Sequence, residues 1–283
     1  FSVSGGSLPN GLSLDPSTGI IEGTPDTDGT YTFEVTVTDS NGLTDRKQYS
    51  ITVERDWTKV YPANSPGPRT AHCIAYDPER GRLVLFGGID AFGNTPLAST
   101  WEYDGYEWQQ VQTTNSPPAR RRAAMCWYPD KNAVLMFGGR DTSNNFLNDT
   151  WLYNGDWTEV YTTNSPSARI GAAICYFPPA KGILLFGGWN AATHNNDTWL
   201  FDGGNWQRLS PQNSPPPLRY AQMVYHEGLG KVVLFGGAQG STCYAETWLF
   251  DGKNWEKINT PNTPPARYCF GMCYDPARDV VVI

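Results

Sequence analysis

Two kinds of hydrophobic pattern divide the chain. In the first 54 residues the apolar positions alternate. Tyr31, Phe33, Val35 and Val37 fall on one side of the stretch from Thr30 to Thr38, with Thr or Glu between them, and Tyr49, Ile51 and Val53 resume the alternation after the turn sequence Asp39-Ser40-Asn41-Gly42. A period of two sends these side chains to one face of a pleated strand, so the segment predicts two antiparallel strands with one dry face. Beyond this point alternation gives way to short continuous apolar runs, such as Ile183-Leu184-Leu185-Phe186, each ended by a glycine pair. The triplet Phe-Gly-Gly recurs at Phe86-Gly87-Gly88, Phe137-Gly138-Gly139, Phe186-Gly187-Gly188 and Phe235-Gly236-Gly237, at intervals of 51, 49 and 49 residues.

Self-similarity at this period predicts one supersecondary unit per repeat. Each unit reads as four short strands. The first runs from a recurrent Arg (Arg69, Arg120, Arg169, Arg219, Arg267) to an aromatic residue, as in Arg169 to Tyr176, and the second is the apolar run before the glycines. The third carries a Trp at Trp101, Trp151, Trp199 and Trp248. The fourth opens on a second Trp at Trp57, Trp108, Trp157, Trp206 and Trp255, after hairpin signals such as Asp202-Gly203-Gly204-Asn205. Such a sheet is apolar on both faces and must stack between neighbours. A buried Trp removes ~200 Å² from water, roughly 5 kcal/mol before entropy is counted, so the two Trp columns are the expected glue. The recurrence of the Arg in every unit points to a structural role.

The glycine doublets, with the pairs Tyr103 and Trp108, Tyr153 and Trp157, Phe201 and Trp206, and Phe250 and Trp255, resemble the kelch repeat from about residue 57 to 283. The resemblance implies an all-β fold, an incomplete kelch-type β-propeller with one four-stranded blade per repeat. It comprises an outer strand at Trp57, four whole blades and the first half of another, the parent protein continuing beyond Ile283. Blades of the WD type fit less well, because their period is ~40 to 45 residues. Before the propeller, the stretch from Leu8-Pro9-Asn10-Gly11 through Glu22-Gly23-Thr24-Pro25 resembles a bacterial Ig-like, cadherin-like module. That resemblance implies a partial Ig-like β-sandwich over residues 1–54, with Glu54-Arg55-Asp56 as a short linker. Asp39 and Asp45 read as turn and solvent residues, since no close-spaced carboxylate cluster accompanies them as a calcium site would require.

Composition narrows the function. The formal net charge of −7 speaks against a nucleic-acid partner, whose phosphates need a clustered basic face. No run approaches the ~18 apolar residues of a membrane span, so no direct membrane insertion is expected. His72, His194 and His226 come from three different units and at least two faces, so no metal is expected, and no cofactor-binding motif occurs. Cys126, Cys175 and Cys273 share one repeat column with Ala75 and Val224 and read as inert core thiols. Cys243 and Cys269 leave that column and fall toward one face, where either a disulfide or two free thiols is open.

Variable loops on a repeated frame are where binding residues concentrate. The loops after the glycine doublets carry Trp189, the one Trp off the repeat grid, with His194, Phe92, Phe146 and Tyr244. Arg121, Arg122, Tyr220 and Tyr268 follow the recurrent Arg and are expected at the channel mouth. The kelch resemblance implies a non-catalytic scaffold that binds a protein through this loop face. The alternatives are a glycan stacked on Trp189, or a carbohydrate enzyme of the galactose-oxidase or sialidase kind with its site in further blades. The pairing of an Ig-like module with a propeller implies a bacterial extracellular or cell-surface setting.

Overall fold

The computed structural model describes residues 1–53, 59–93 and 95–283. The linker at 54–56 and the outer strand expected at Trp57 lie outside the described residues. The chain forms two compact units, Phe1–Tyr61 and Pro62–Ile283.

In the first unit, Gly29–Thr38 pairs antiparallel with Thr44–Val53 on one side and with Ser2–Gly6 on the other, and Leu12–Leu14 forms a separate hairpin with Ile21–Gly23. The register sets Tyr31 opposite Ile51 and Phe33 opposite Tyr49. The expected dry face is dry only at Phe33, which is 2 % exposed, whereas Val37 and Tyr49 are 38 % and 44 % exposed. A three-stranded sheet accompanied by one short hairpin supplies too little second layer to cover the rest. Asp39 works as a turn residue, its Oδ1 accepting the amide N–H groups of Asn41 and Leu43 at 2.8 and 2.9 Å.

The second unit holds four antiparallel meanders and the beginning of a fifth. The third blade is representative: Ala173–Phe177, Gly182–Phe186, Thr198–Phe201 and Trp206–Leu209 lie side by side in chain order. Its first strand starts at Ala173, four residues after Arg169, because the Arg segment belongs to a separate connection between blades. The fifth sheet is the pair Cys273–Asp275 and Val280–Val282. First strands of successive blades pack on one another, from Cys73–Asp77 through Ala124–Tyr128 and Ala173–Phe177 to Gln222–His226. The sheets therefore fan about an axis with their first strands innermost, as in a propeller.

Each hydrophobic core lies between two blades. One joins Val84 and Phe86 to Val134, Met136, Tyr153 and Trp157; the next joins Leu135 and Phe137 to Ile183, Leu185, Phe201 and Trp206; a third joins Leu184 and Phe186 to Leu234, Phe250 and Trp255. In each the fourth-strand Trp is the wedge. Trp157, Trp206 and Trp255 are at most 1 % exposed, and each meets edge-on the Phe that precedes the glycines of the previous blade, at 5.1, 5.2 and 5.3 Å between ring centroids. A buried indole must also place its N–H. Here Trp157 donates to Thr100, Trp206 to Thr150 and Trp255 to Thr198, each at 2.9 Å and each to the third strand of the previous blade. The other Trp column is less buried and donates within its own blade, as described below.

Cys175 is buried and Cys126 partly so, as their column predicts, but Cys273 is exposed, on a sheet of two strands that among the described residues is covered on one side. Burial pushes the Cys73 thiol up to about 12 and the Cys175 thiol well above its ordinary value, so both stay protonated and unreactive.

Thr150→Val keeps the side-chain volume while leaving the buried Trp206 N–H without an acceptor. It is expected to lower stability by about 1–3 kcal/mol in urea unfolding, and Trp206→Ala by about 3–5 kcal/mol; an unchanged midpoint for either would show that the wedge does not hold the blades.

Candidate functional site on the loop face

Strands two and three of a blade, and the end of one blade and the start of the next, are joined on the same face. The glycine doublets build that face. Gly88, Gly139, Gly188 and Gly237 donate their N–H groups to the carbonyls of Arg120, Arg169, Leu218 and Arg267 in the incoming connection, at 2.7–3.0 Å. The first glycine of the pair has φ near +70°, and a methyl group at Gly187 would sit 2.6 Å from the Leu218 carbonyl oxygen. Only glycine accepts both the left-handed backbone and the close crossing chain.

The recurrent Arg secures the connection. Arg120 makes a fork-to-fork pair with Asp149 at 2.6 and 2.7 Å and donates to the Gly138 carbonyl at 2.9 Å. Arg169 repeats this with Asp197 at 2.6 and 2.9 Å and Gly187 at 2.8 Å. The indoles of Trp151 and Trp199 donate to the same carboxylates at 2.7 Å. With both guanidinium groups almost wholly buried, these arginines are structural.

The fourth blade departs from the pattern, and Arg219 is not a member of this column. Leu218 makes the backbone bonds that Arg120 and Arg169 make elsewhere. Glu246, left without an arginine, accepts instead from the Lys257 ammonium and the Trp248 indole. Counting forward from Asn-Ser-Pro or Asn-Thr-Pro in each connection puts Arg69, Arg120, Arg169 and Arg267 at the sixth place but Leu218 at the sixth place of the fourth. The signal was in the sequence. Alignment on the arginines conceals it.

Two residues past this column a backbone collar runs from blade to blade. Arg122 donates to the Ala71 carbonyl at 2.8 Å, Gly171 to Arg122 at 3.2 Å, Tyr220 to Gly171 at 2.7 Å and Cys269 to Tyr220 at 3.3 Å. All five residues have φ between 54° and 62°. Four of them carry a side chain in this left-handed region, at roughly 1 kcal/mol or more each.

One residue past the column, the connection pairs with the residue that follows the glycines. Arg121 stands opposite Arg140, Ile170 opposite Trp189 and Arg219 opposite Ala238. These pairings gather most of the candidate residues into one band. Phe146 meets Trp189 edge-on at 5.3 Å, His194 lies beside Trp189 at 6.4 Å, and Tyr220 lies beside Tyr268 at 6.3 Å. Arg219 links the two halves, its guanidinium 5.5 Å from both the Trp189 and the Tyr220 ring centres; Arg122 also approaches Tyr220 at 5.5 Å, and Arg140 approaches Phe146 at 5.0 Å. Trp189 is thus boxed by Arg219, Phe146 and His194 and is not an open platform.

Two candidates stay outside the band. Phe92 is 86 % exposed and makes no ring contact among the described residues. Tyr244 packs against the core between the third and fourth blades and donates to Gln239 at 3.1 Å. Cys243 and Cys269 are free thiols, each held by its own backbone pairing, Cys243 to Ala238 and Cys269 to Tyr220. Among the described residues no cluster of metal-ligating side chains occurs.

Burial alone would raise the Asp197 carboxyl, but the hydrogen bonds and charge of Arg169 outweigh it and hold the group below its ordinary value. A carboxylate with a lowered folded-state pKa contributes stability that is complete above the unfolded value, near ~3.9, and is lost as the pH falls through the folded one. The urea midpoint is therefore expected to fall on acidification below about pH 4. Asp197→Asn should cost about 3–5 kcal/mol at neutral pH and flatten that part of the profile; a variant with the wild-type acid limb would remove Asp197 as its source.

A family model described as the KLHDC2/KLHL20/DRC7 Kelch-repeats domain matches residues 30–160 and 154–283, and one described as Putative Ig domain matches residues 1–54. Residues 30–53, common to both matches, fold with the N-terminal unit. Over 99 residues, 32 % of its length, the chain is 35 % identical to the dynein alpha chain of the flagellar outer arm of Chlamydomonas reinhardtii, covering 2 % of that protein. Over 93 residues, 31 % of its length, it is 30 % identical to an F-box/kelch-repeat protein of Arabidopsis thaliana, covering 19 % of it. Both relatives are eukaryotic and give no support to the bacterial setting that the pairing of modules implies.

Proposed function

Because the chain belongs to the kelch-repeat family, we propose that it is an interaction scaffold whose loop face docks a protein partner. One observation carries this reading: the rim of rings and guanidinium groups that runs from Phe146 and Trp189 on two loops after the glycine doublets through Arg219 and Tyr220 to Tyr268 on two blade connections. Trp, Tyr and Arg dominate the energetics of protein interfaces because they combine large contact area with directed polar groups. The rim rests on a frame that does not need it. The doublet glycines, the Arg–carboxylate forks and the backbone collar hold the connections in place, so rim side chains are left for recognition.

The boxed position of Trp189 weighs against a sugar stacked on its open face and in favour of a partner that reads the edge of the band. A displayed library of protein-derived peptides and small domains, selected on the whole chain, tests the reading. Selected binders are expected to lose at least about tenfold in affinity to Tyr268→Ala or Arg219→Gln, and to be indifferent to Tyr106→Ala in a hairpin on the opposite face. Binders sensitive only to Tyr106 would overturn it.

A further inference from the structure

The rim concentrates positive charge on an acidic chain. Arg121, Arg122, Arg140 and Arg219 lie within it, and none forms an ion pair with a carboxylate among the described residues, although Arg46, Arg80, Arg82, Arg120, Arg169 and Arg278 do so elsewhere. Asp141, the acid adjoining Arg140, is engaged by the backbone and side-chain amides of Asn145 at 2.8 and 3.0 Å. Arg121 and Arg140 stand directly opposite each other across a strand pair. Like charges in that relation destabilise a sheet, yet here both are held in place by one residue. The Arg121 guanidinium donates to the Asn144 side chain and Arg140 to the Asn144 carbonyl, each at 2.9 Å. Burial and the charges of Arg140 and Arg122 all push the Arg121 guanidinium below its ordinary value. Among the described residues the Nε atoms of Arg121 and Arg219 are buried without a hydrogen-bond partner. Rings, Asn144 and the Gly240 carbonyl, rather than acids, position these cations.

Four uncompensated guanidinium groups call for an anion that carries more than one charge and several acceptors. A single carboxylate offers one charge and two oxygens. A phosphoryl group on a side chain carries about −1.5 to −2 at neutral pH and three strong acceptor oxygens, which match the planar forks of several arginines. We infer that the rim around Arg121, Arg140, Arg122 and Arg219 is a binding site for a phosphorylated segment of a protein partner. This rests on the reading of the loop face as a protein-docking surface and adds the chemistry that the face selects. Tyr220 and Tyr268 supply ring surface for the residues flanking the phosphoryl group.

The test uses three degenerate peptide pools, alike except for a central phosphorylated Ser, Thr or Tyr, the same residues unmodified, or Glu, with binding to the whole chain followed by fluorescence polarisation. The phosphorylated pool should bind about tenfold or more tightly than the others, weaken steeply with salt and be competed by inorganic phosphate. Arg219→Gln and the double variant Arg121→Gln with Arg140→Gln should abolish that preference, with thermal unfolding confirming that each variant is folded. Equal binding of the Glu pool, or a preference untouched in the folded variants, would overturn the inference. If no phosphorylated pool binds while unmodified library members still depend on Tyr268 and Arg219, the phosphoryl assignment falls and the docking surface stands.

Discussion

No blade of this protein can exist alone, and the rest of the structure follows from that constraint. A four-stranded sheet with apolar side chains on both faces is stable only when neighbours cover them. Here the covering is specific because a Trp of one blade inserts against the Phe of the previous one and donates its indole N–H to a buried Thr there. The Trp206–Thr150 bond and its two counterparts convert general hydrophobic stacking into a fixed offset between blades. A slipped arrangement would strand an indole donor in a dry interior, at a cost of roughly 1–3 kcal/mol per blade.

A fixed offset makes the second layer of order possible. The connection to the next blade crosses the glycine doublet at one place only, close enough that a side chain there would collide with it. The arginine forks of Arg120 and Arg169 then tie that connection to the carboxylate that also receives the indole of the third-strand Trp. Stability and the geometry of the loop face are thus properties of the same bonds. The fourth blade shows how the scheme tolerates change. With Leu218 in the arginine's place, Glu246 recruits Lys257, the connection keeps its course, and Arg219 is released to the rim.

The rim follows a different logic. Four of its residues occupy positions where the frame is strained or repelled: Arg122 and Tyr220 at left-handed collar positions, and Arg121 and Arg140 facing each other across a strand pair. Strain that neighbouring structure sustains without needing it is characteristic of sites shaped for a partner. Arg219 and Tyr268 take no part in the arginine forks or the Trp–Thr bonds that hold the blades.

The repeat and the blade architecture were legible because a propeller is built from local patterns recurring at a constant period, and each period carries its own strands, turns and wedge. Trp157, Trp206 and Trp255 declared themselves by spacing alone. The acceptors of their N–H groups did not, since Thr100, Thr150 and Thr198 lie 56 or 57 residues away and meet them only across blades. The same limit applied to the loop face. Trp189, His194, Phe146, Arg121, Arg122, Tyr220 and Tyr268 could be picked out as irregular residues on regular loops, but Arg219 was masked by an arginine pattern that it does not share, and Phe92 and Tyr244 looked equivalent to Phe146 until the fold separated them. Periodicity reports which residues face a neighbour. Which neighbour each one meets, and which cations are left without a counter-charge, is decided only when the sheets close around their axis, because those distances depend on how every blade is stacked.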